Sequence, residues 1–555
     1  MSAAQDLVAQ RRDQIFPRLT DEQIGRLLPL GNRRPVQRGE ILFEQGSTDS
    51  QLYVVLQGNL EVVRPLLGHE ERVVIHGSGE FTGETNLLSG RRTLVRCRAI
   101  QDGEVLSLQR DVLRTLVLTD SELSDLFMRA FILRRVALLD AGFGDVVIIG
   151  SHHSSDTLRL REFLTRNAHP QTHLDVETDT DVQTLLDRFG VKLEEIPVLI
   201  CRGELVLRNP SNQEVADCLG FNAGIDIAVV RDVLIVGAGP AGLAAAVYGA
   251  SEGLDVLVLE AYAPGGQAAS SSKIENYLGF PTGISGQALA GRAFTQAEKF
   301  GAHVAVARAA KRLLCESKPY AVELSNGETV RAKTLIIASG AKYRKLELEN
   351  LMRFEGAGVY YAATQMEAQV CDNQEVIVVG GGNSAGQAAV FLSPSMKHVY
   401  ILVRSDGLAA TMSRYLIRRI EETPNITLRT RTEIVGLEGE KHLEAVSVKN
   451  SATGQVERLA IRHVFSMTGA VPNTEWLMGC VALDGKGFVK TGPDISSEER
   501  EAAKWPRTRP PLLLETSLPG VFAVGDVRTS NVKRVASAVG EGSVCVLLVH
   551  RVLAE

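Results

Sequence analysis

A strand–turn–helix–strand pattern near the middle of the chain constrains the fold more than any other segment. Residues 233–236 are an apolar run that predicts a buried strand, and an alanine-rich helix and a second apolar strand at residues 256–259 follow it. The sequence Gly-Ala-Gly-Pro-Ala-Gly at residues 237–242 separates the first strand from the helix, and Glu260 ends the second strand. Glycines allow the backbone to approach a pyrophosphate at a helix N-terminus, and a carboxylate in this position hydrogen-bonds a ribose hydroxyl. The segment predicts a dinucleotide site with four residues: Gly237, Gly239, Gly242 and Glu260.

The composition is that of an ordinary soluble globular protein, and the length of 555 residues predicts about three to five domains. The net charge of −6 does not favour nucleic acid as a partner. No apolar run approaches the roughly 18 residues that span a bilayer, and the N-terminus lacks a signal-peptide core, so we expect a cytoplasmic protein that does not enter a membrane. The seven cysteines are scattered and odd in number, which predicts reduced thiols.

Residues 1 to about 137 predict strands punctuated by glycines, a pattern typical of a small antiparallel barrel. Through residues 38–63 and 83–90 this part resembles the cyclic-nucleotide-binding domain family. The resemblance implies that Gly83 and Glu84 open a phosphate-binding cassette in which Glu84 contacts the ribose.

The arginine that neutralises the cyclic phosphate in that family should lie within residues 91–95. Alignment of the following strand by its inward positions places Thr93 there, and moving Arg92 into the position would invert the inside–outside alternation of the strand. Without this arginine the phosphate lacks its charge-assisted partner. We therefore expect weak or no cyclic nucleotide binding, and a module kept for contacts with its neighbours. Residues 111–139 predict one long amphipathic helix, and no DNA-binding module follows it.

Residues from about 141 to 225 predict a strand, a helix, a strand, a second helix and a hairpin, which resembles a glutaredoxin or thioredoxin-type fold. In that fold the proline of an Ile-Pro step, here Ile196-Pro197, is usually cis. The family's dithiol follows the first strand, where this chain has Ser-His-His-Ser-Ser at residues 151–155 and no sulfur. The adjacent His152 and His153 make a poor metal-ligand set. We predict a redox-inactive adaptor and no metal site.

From residue 231 onward the chain resembles the smaller, two-domain class of thioredoxin reductase. Separated motifs occur in the family's order: the first glycine turn, Ala-Pro-Gly-Gly-Gln at residues 263–267, Ile-Glu-Asn-Tyr at 274–277, Ala-Ser-Gly at 338–340 and Gly-Val-Phe-Ala-Val-Gly-Asp at 520–526. The resemblance implies that the first dinucleotide fold binds FAD. Its further cofactor-binding residues would be Gly266, Gln267, Asn276, Gly525 and Asp526.

A second dinucleotide fold is inserted between the two flavin segments. An apolar strand at residues 376–379 leads into Gly-Gly-Gly-Asn-Ser-Ala, and the next strand, at residues 398–403, ends in Arg404 instead of an acid. An acid would favour NADH and an arginine suits the 2′-phosphate of NADPH. The family's fuller basic motif is only partly present, so NADH stays possible and Arg404 as an ordinary solvated charge stays open. The predicted nicotinamide-nucleotide residues are Gly380, Gly382, Ala385 and Arg404.

The sequence departs from the thioredoxin reductase pattern where the redox dithiol is expected. Thioredoxin reductases carry a Cys-X-X-Cys shortly before the second glycine motif, and here Ala362 and Gln365 fall where the two sulfurs would be. Cys371 is the only nearby thiol, and a single cysteine cannot run a dithiol–disulfide exchange within one chain. The catalytic residues therefore stay unknown at this stage.

These segments together predict a multidomain chain with α/β and β modules. The first module is a β-barrel of the cyclic-nucleotide-binding type, the second is a thioredoxin-like α/β module, and the C-terminal part is a pair of Rossmann-like FAD and NAD(P)H domains. The predicted bounds are 1–140 for the barrel module, 141–225 for the thioredoxin-like module, 226–346 with 475–555 for the FAD domain, and 347–474 for the NAD(P)H domain.

The sequence thus predicts an FAD-dependent NAD(P)H oxidoreductase that forms a homodimer. Hydride would pass from NADPH to the flavin and on to an acceptor without a dithiol, such as ferredoxin, flavodoxin, a quinone or oxygen, with regulation through the N-terminal module. One alternative is a non-enzymatic redox or nucleotide sensor whose partner is another protein. A second alternative is a thioredoxin-disulfide reductase that uses non-standard thiols.

Overall fold

A computed structural model confirms the predicted fold class, with several separate sheets and an α/β C-terminal part. It describes residues 12–66, 69–83, 86–140, 146–151, 154–177, 182, 186, 190–192, 195–201, 205–222, 225–271, 273–361, 363–440, 442–477, 479–506 and 508–555. Glu84, His152, His153 and Ala362 lie outside these residues.

The N-terminal module consists of two antiparallel sheets covered by helices. Cys97 and Ala99 point into its core as the predicted alternation requires. The three-stranded sheet has the order Asn32–Val36, Gly103–Leu108 and Leu52–Gln57, and the four-stranded sheet has the order Ile41–Phe43, Arg96–Ala99, Leu60–Leu66 and His69–His76. The helices are Arg12–Ile15, Asp21–Leu27, Leu28–Leu30, Asn86–Ser89, Arg110–Thr119 and Ser121–Asp140.

The single helix predicted for residues 111–139 is wrong, because two helices occupy this stretch. Arg110–Thr119 ends before Asp120, and Ser121–Asp140 begins after it. Asp120 has an extended backbone, and its Oδ1 accepts a hydrogen bond from the Leu123 N–H at 3.0 Å. An aspartate in this position caps the N-terminus of the second helix, so the chain starts a new helix there.

The middle module has a four-stranded sheet with helices packed on it. Its first two strands in sequence are parallel, and the hairpin that follows is antiparallel to the first strand. The Ile196–Pro197 bond is cis, as predicted. The strand order is Leu205–Arg208, Val198–Cys201, Val146–Ile149 and Thr172–Leu174, and the helices described throughout are Ser155–Arg166 and Asn212–Leu219.

The flavin domain is assembled from two distant parts of the chain. Val521–Ala523 pairs in parallel with Thr329–Ile337, so a strand near the C-terminus completes the sheet. The other strands lie in the order His303–Val306, Val256–Glu260, Val230–Val236, Thr329–Ile337, Tyr320–Leu324 and Ala310–Leu314. The helices are Pro240–Ser251, Gly266–Ala269, Gly286–Lys299, Glu475–Leu477, Gly492–Asp494, Ser497–Ala502, Gly525–Val527 and Val535–Leu553.

The second dinucleotide fold has a five-stranded parallel sheet and a small antiparallel sheet. A two-stranded ribbon of Ala341–Tyr343 and Ala470–Pro472 joins it to the flavin domain. The parallel order is Val359–Tyr360, His463–Ser466, Glu375–Val379, His398–Leu402 and Ile426–Arg429, and the small sheet contains Thr432–Glu438, Ala445–Asn450 and Val456–Leu459. The helices are Leu351–Phe354, Gln365–Val370, Asn383–Leu392 and Arg414–Glu422.

Four of the seven cysteines are paired, which corrects the expectation of reduced thiols throughout. Cys201 bonds to Cys218, 17 residues further on, and Cys315 bonds to Cys480 across 165 residues. The spacing in the sequence carries no signal for these pairs, because contacts between segments far apart in the chain bring them together. The free cysteines are Cys97, Cys371 and Cys545, all buried.

The C-terminal helix Val535–Leu553 is long and apolar enough, by length and composition only, to cross a membrane. Its Cys545, Val546 and Val549 belong to the same buried core as the strands of the flavin domain. An apolar helix with one face in such a core is accounted for by packing.

Candidate functional site

A cavity of about 640 Å³ lies between the flavin domain, the second dinucleotide fold and the middle module. The carboxyl ends of Val230–Val236 and Val256–Glu260 open onto it, which is where α/β sheets bind nucleotides. Nine of the predicted cofactor residues lie at this cavity or beside it. Those in its wall are Gly237, Gly239, Glu260, Gly266, Gln267, Asn276, Gly525 and Asp526, and Gly242 lies one turn into the adjoining helix.

The first glycine turn has no room for side chains at two of its three glycines. Gly237 has a φ of +109°, and a Cβ there would lie 2.3 Å from the Ala338 carbonyl oxygen. A Cβ on Gly242 would lie 1.9 Å from the Gly237 carbonyl oxygen. Gly239 differs, because the nearest atom to its Cβ position is 4.0 Å away and the residue faces the cavity. The turn therefore leaves bare backbone toward a ligand at the N-terminus of helix Pro240–Ser251.

Glu260 ends its strand with a buried carboxylate that organises the turn. Its Oε2 accepts the Ala238 N–H at 2.7 Å, and its Oε1 accepts the N–H groups of Tyr262 and Ala263 at 2.9 and 3.2 Å. Burial raises the pKa of Glu260, and the backbone donors and the Arg166 guanidinium act in the opposite direction. A carboxylate has about four lone-pair sites, so acceptor capacity remains for a ribose hydroxyl.

The Gly-Gly-Gln turn closes the same end of the cavity. Gly265 and Gly266 both have positive φ, and a Cβ on Gly266 would lie 3.0 Å from the Gly239 Cα. The two glycine turns thus lie next to each other at this end of the cavity. Side chains at this junction would fill the place that a pyrophosphate needs.

A segment bonded to the loop after the return strand adds two cavity residues that the sequence reasoning missed, Asn473 and Trp476. Ser339 Oγ donates to the Asn473 carbonyl at 2.7 Å, and Asn473 Nδ2 donates to the Ser339 carbonyl at 2.8 Å. Asn473 and Trp476 both line the cavity. Their only sequence signal is a Pro-Asn-Thr turn at the start of the last flavin segment, and that signal is weak without the fold.

Asp526 also lines the cavity. It lies in the short helix Gly525–Val527, and the Lys533 Nζ donates to its carbonyl at 3.0 Å. Burial raises the pKa of the Asp526 carboxyl, and the nearby Lys533 lowers it. The Gly525 N–H donates to Glu541 at 2.7 Å, which anchors this turn to the C-terminal helix. The carboxyl is thus held at the cavity and has no hydrogen-bond donor within the described residues.

The second glycine turn has the same geometry, but different residues of it reach the cavity. Gly380 has a φ of +140°, and a Cβ there would lie 2.4 Å from the Met467 carbonyl oxygen. Gly382 precedes helix Asn383–Leu392, and Ala385 is buried. None of these three lines the cavity. The cavity residues of this fold are Asn383, Ser384 and Gln387.

Arg404 is exposed beyond the end of His398–Leu402, away from the cavity wall. Asp406 next to it pairs with Arg431. By strand register Val403 takes the place that Glu260 has in the flavin domain, and Arg404 follows it directly. Arg404 can therefore meet the ribose side of a nucleotide on the second fold, and its role stays a prediction.

The stretch from Ala362 to Gln365, where the family resemblance places the dithiol, contains no cysteine. Gln365 begins helix Gln365–Val370, and Cys371 follows that helix inside the core of the second dinucleotide fold. Burial, with a smaller effect from Glu367, raises the pKa of the Cys371 thiol to about 12. Burial also raises the pKa of Glu367, which accepts a hydrogen bond from the Thr364 N–H at 2.9 Å.

The cassette of the N-terminal module faces the rest of the protein. Thr93 is buried, and its hydroxyl donates to the Glu44 carbonyl at 2.6 Å. The Arg91 guanidinium lies 5.0 Å from the Phe221 ring and 4.8 Å from the Phe294 ring, and its Nε is 3.9 Å from Glu298. Arg91 therefore contacts two other parts of the chain. Gly83 has a φ of +105°, and its carbonyl accepts from Arg134 Nη1 at 2.8 Å.

The pattern of motifs matches two known families. Residues 231–542 match the family described as pyridine nucleotide-disulphide oxidoreductase, and residues 33–120 match the cyclic nucleotide-binding domain. The chain therefore belongs to the pyridine nucleotide-disulphide oxidoreductase family. The predicted resemblances to both families are confirmed.

Within that family the chain is similar to thioredoxin reductases. It is 34% identical over 331 residues to a thioredoxin reductase of Streptomyces clavuligerus, a match that covers 59% of this chain and 94% of that protein. It is 30% identical to NADPH-dependent thioredoxin reductase 3 of Arabidopsis thaliana, covering 63% of this chain and 65% of that protein. The crystal structure of T. acidophilum thioredoxin reductase matches with a TM-score of 0.52 and 28% identity, over 59% of this chain and 99% of that one. The protein is an oxidoreductase of the thioredoxin reductase type.

Proposed function

We propose that this protein is an FAD-dependent NADPH oxidoreductase that reduces its acceptor directly, without a dithiol relay. One observation carries the proposal. Asn383 and Ser384, at the start of the second dinucleotide fold, line the same cavity as Gly239 and Asp526 of the flavin domain. FAD in this cavity supplies hydride acceptance from a nicotinamide and electron transfer to the acceptor.

The residues around the cavity fit FAD. Gly239 leaves backbone exposed for the pyrophosphate, and Glu260 holds a fixed carboxylate for the ribose of the adenosine half. Asp526 in the cavity wall would bind the ribityl hydroxyls, and Asn276 and Gln267 would bind the flavin ring. These side chains and turns would hold and orient the cofactor.

The acceptor is proposed to need no thiol on this chain. The sequence has no Cys-X-X-Cys, and exchange with a disulfide needs an attacking thiolate and a resolving thiol. The buried Cys371 has a raised pKa, so it stays protonated at neutral pH. Ferredoxin, flavodoxin, a quinone or oxygen are the acceptor classes that remain.

NADPH is proposed as the donor because Arg404 ends the second strand of its fold. A guanidinium in this position pairs with the 2′-phosphate of NADPH, whereas NADH offers a hydroxyl there. The N-terminal module is proposed to act through its contacts at Arg91 and not through a bound cyclic nucleotide. Arg91 is engaged with Phe221 and Phe294, and Thr93 stands where the family has its phosphate arginine.

Stopped-flow absorbance tests the proposed function. FAD-loaded protein is mixed anaerobically with NADPH or NADH, the bleaching of the flavin band is recorded, and each acceptor class is then added. We expect the flavin band to be bleached within a single turnover, and faster by NADPH than by NADH. We also expect at least one acceptor to reoxidise the flavin when Cys371 is replaced by Ser. Purified protein that takes up no FAD, or a flavin that neither cofactor bleaches, would contradict the enzyme and favour a non-enzymatic sensor.

A further inference from the structure

The middle module contributes a charged side chain to the cavity. Helix Ser155–Arg166 ends there, and Arg166 lines the cavity together with Gly266 and Tyr262. The Arg166 Nη2 donates to the Gly266 carbonyl at 2.8 Å, and its guanidinium lies 5.0 Å from the centre of the Tyr262 ring. Its Nε is buried and has no hydrogen-bond acceptor among the described residues.

The contacts around Arg166 fix the end of this helix on the flavin domain. Asn167 Nδ2 donates to the Tyr262 carbonyl at 3.2 Å, and Phe163 meets the Tyr262 ring edge-on at 5.7 Å. Gln287 Nε2, from helix Gly286–Lys299, donates to the Thr165 carbonyl at 2.8 Å. Three separate contacts therefore hold the guanidinium in one place.

That place is the junction of the two glycine turns. Arg166 binds the carbonyl of Gly266, and a Cβ on Gly266 would lie only 3.0 Å from the Gly239 Cα. Gly239 precedes helix Pro240–Ser251, and the N-terminus of such a helix binds a pyrophosphate. A bound dinucleotide carries two negative charges at this point, and a guanidinium is the side chain that pairs best with phosphate oxygens.

The charged groups around Arg166 leave its guanidinium able to bind an anionic ligand in the cavity. Glu162, one turn earlier on its helix, lies 3.6 Å from Arg166 Nη1. The Glu260 carboxylate, whose charge acts on Arg166, also accepts hydrogen bonds from three backbone N–H groups. Arg308, also in the cavity wall, pairs with Asp217 at 2.7 Å. The Arg166 side chain is 20% exposed and lines the cavity, so a ligand there can reach it.

We propose that Arg166 is an FAD-binding residue supplied by the middle module, and that it binds the diphosphate–adenosine half of the cofactor. The inference rests on the proposed FAD site, but it goes beyond the family match, which begins at residue 231. The middle module has lost the sulfurs of its fold at residues 151–155, and cofactor retention gives it a role that needs no thiol.

The test measures the affinity of the full-length apo-protein for FAD by the change of flavin fluorescence. Arg166→Ala and Arg166→Met remove the charge, and Arg166→Met keeps a stem that packs on Tyr262. We expect both to raise the Kd for FAD by about tenfold or more, since hydrogen bonds to charged groups are among the stronger ones in proteins. Arg166→Lys keeps a point charge and should recover part of the affinity.

Two control variants separate a direct contact from loose docking. Arg208→Ala removes an arginine of the same module that pairs with Glu195 outside the cavity wall. Gln287→Ala removes a docking hydrogen bond and leaves the cavity wall unchanged. Both should bind FAD like the wild type.

Three outcomes would overturn the inference. The first is an Arg166→Ala variant that binds FAD within twofold of the wild type while the wild type binds tightly, which leaves the proposed function intact. The second is a loss of affinity in Gln287→Ala as large as in Arg166→Ala, which would assign the effect to docking. The third is a wild type that binds no FAD, which would also refute the proposed function.

Discussion

Replacement of Arg91 by alanine should loosen the N-terminal module from the rest of the chain. The Arg91 side chain is buried, with an exposed fraction of 7%, and its guanidinium lies between the rings of Phe221 and Phe294. Phe221 follows the last helix of the middle module, and Phe294 lies on helix Gly286–Lys299 of the flavin domain. One side chain therefore joins three parts of the protein.

The magnitude follows from these contacts. A desolvated cation–π contact contributes up to about 2 kcal/mol, and an exposed one about 0.5–1 kcal/mol. Two rings at 5.0 and 4.8 Å therefore give about 2–3 kcal/mol for the docked arrangement. The ion pair with Glu298 at 3.9 Å is long and adds less. A loss of this size raises the population of the undocked form roughly 30- to 150-fold.

Native-state hydrogen exchange is the suitable assay, because a single free energy of unfolding is not defined for a chain with several domains. The amides to follow are those of helix Gly286–Lys299 and of residues 219–222, which lose their cover when the module undocks. Arg91→Ala should speed their exchange, and Arg91→Lys should have an intermediate effect. The control is Arg129→Ala, which removes an exposed arginine on Ser121–Asp140 that pairs with Asp125.

Two results would refute this reasoning. Exchange in Arg91→Ala that matches the wild type would mean that the stacked guanidinium does not hold the module in place. Tight cyclic AMP binding by the wild type that Arg91→Ala abolishes would mean that Arg91 leaves the two rings and neutralises the cyclic phosphate. In that case the module would be a nucleotide sensor, with ligand binding and docking competing for one side chain.

The other predictions concern the cofactor, the cassette and the thiols. Arg404→Ala should lower the ratio of the flavin reduction rate with NADPH to that with NADH by about tenfold, because hydrogen bonds to a charged phosphate are lost. Equal rates with the two cofactors in the unmutated protein would contradict the role of Arg404. Calorimetry should find no submicromolar binding of cyclic AMP, because Thr93 stands in place of the phosphate arginine. With a thiol pKa of about 12, roughly one Cys371 side chain in ten thousand is a thiolate at pH 8. Iodoacetamide should therefore label Cys371 only after the protein is unfolded in urea. Rapid labelling of the folded protein would disprove the burial of this thiol. NADPH-dependent reduction of thioredoxin should be absent in the wild type, and robust turnover that disappears in Cys371→Ser would restore the thiol relay.

The flavin and nicotinamide folds could be predicted from the sequence because their signals are local. A turn of a few residues requires glycine where a Cβ would clash with a nearby carbonyl of the same turn. Gly242, whose Cβ would clash with the Gly237 carbonyl, is an example. The same is true of an acid at a strand end, such as Glu260, which binds the backbone of its own loop. The break at Asp120 was also local, since an aspartate ahead of Ser-Glu is a helix N-cap signal, and it was missed because the apolar pattern continued on both sides.

What the sequence could not predict are the contacts between segments that are far apart along the chain. The cysteine pair 315–480, the exchange of hydrogen bonds between Ser339 and Asn473, and the approach of Arg166 to Gly266 each join segments at least 100 residues apart. Nothing in the neighbourhood of Arg166 marks it, since an arginine in the last turn of a helix is ordinary there. The role of Arg166 depends on the surface of the flavin domain against which that helix turn packs. In this oxidoreductase of the thioredoxin reductase type, the appended modules are therefore best understood through what their side chains contact. The family motifs describe only the part of the site that begins at residue 231.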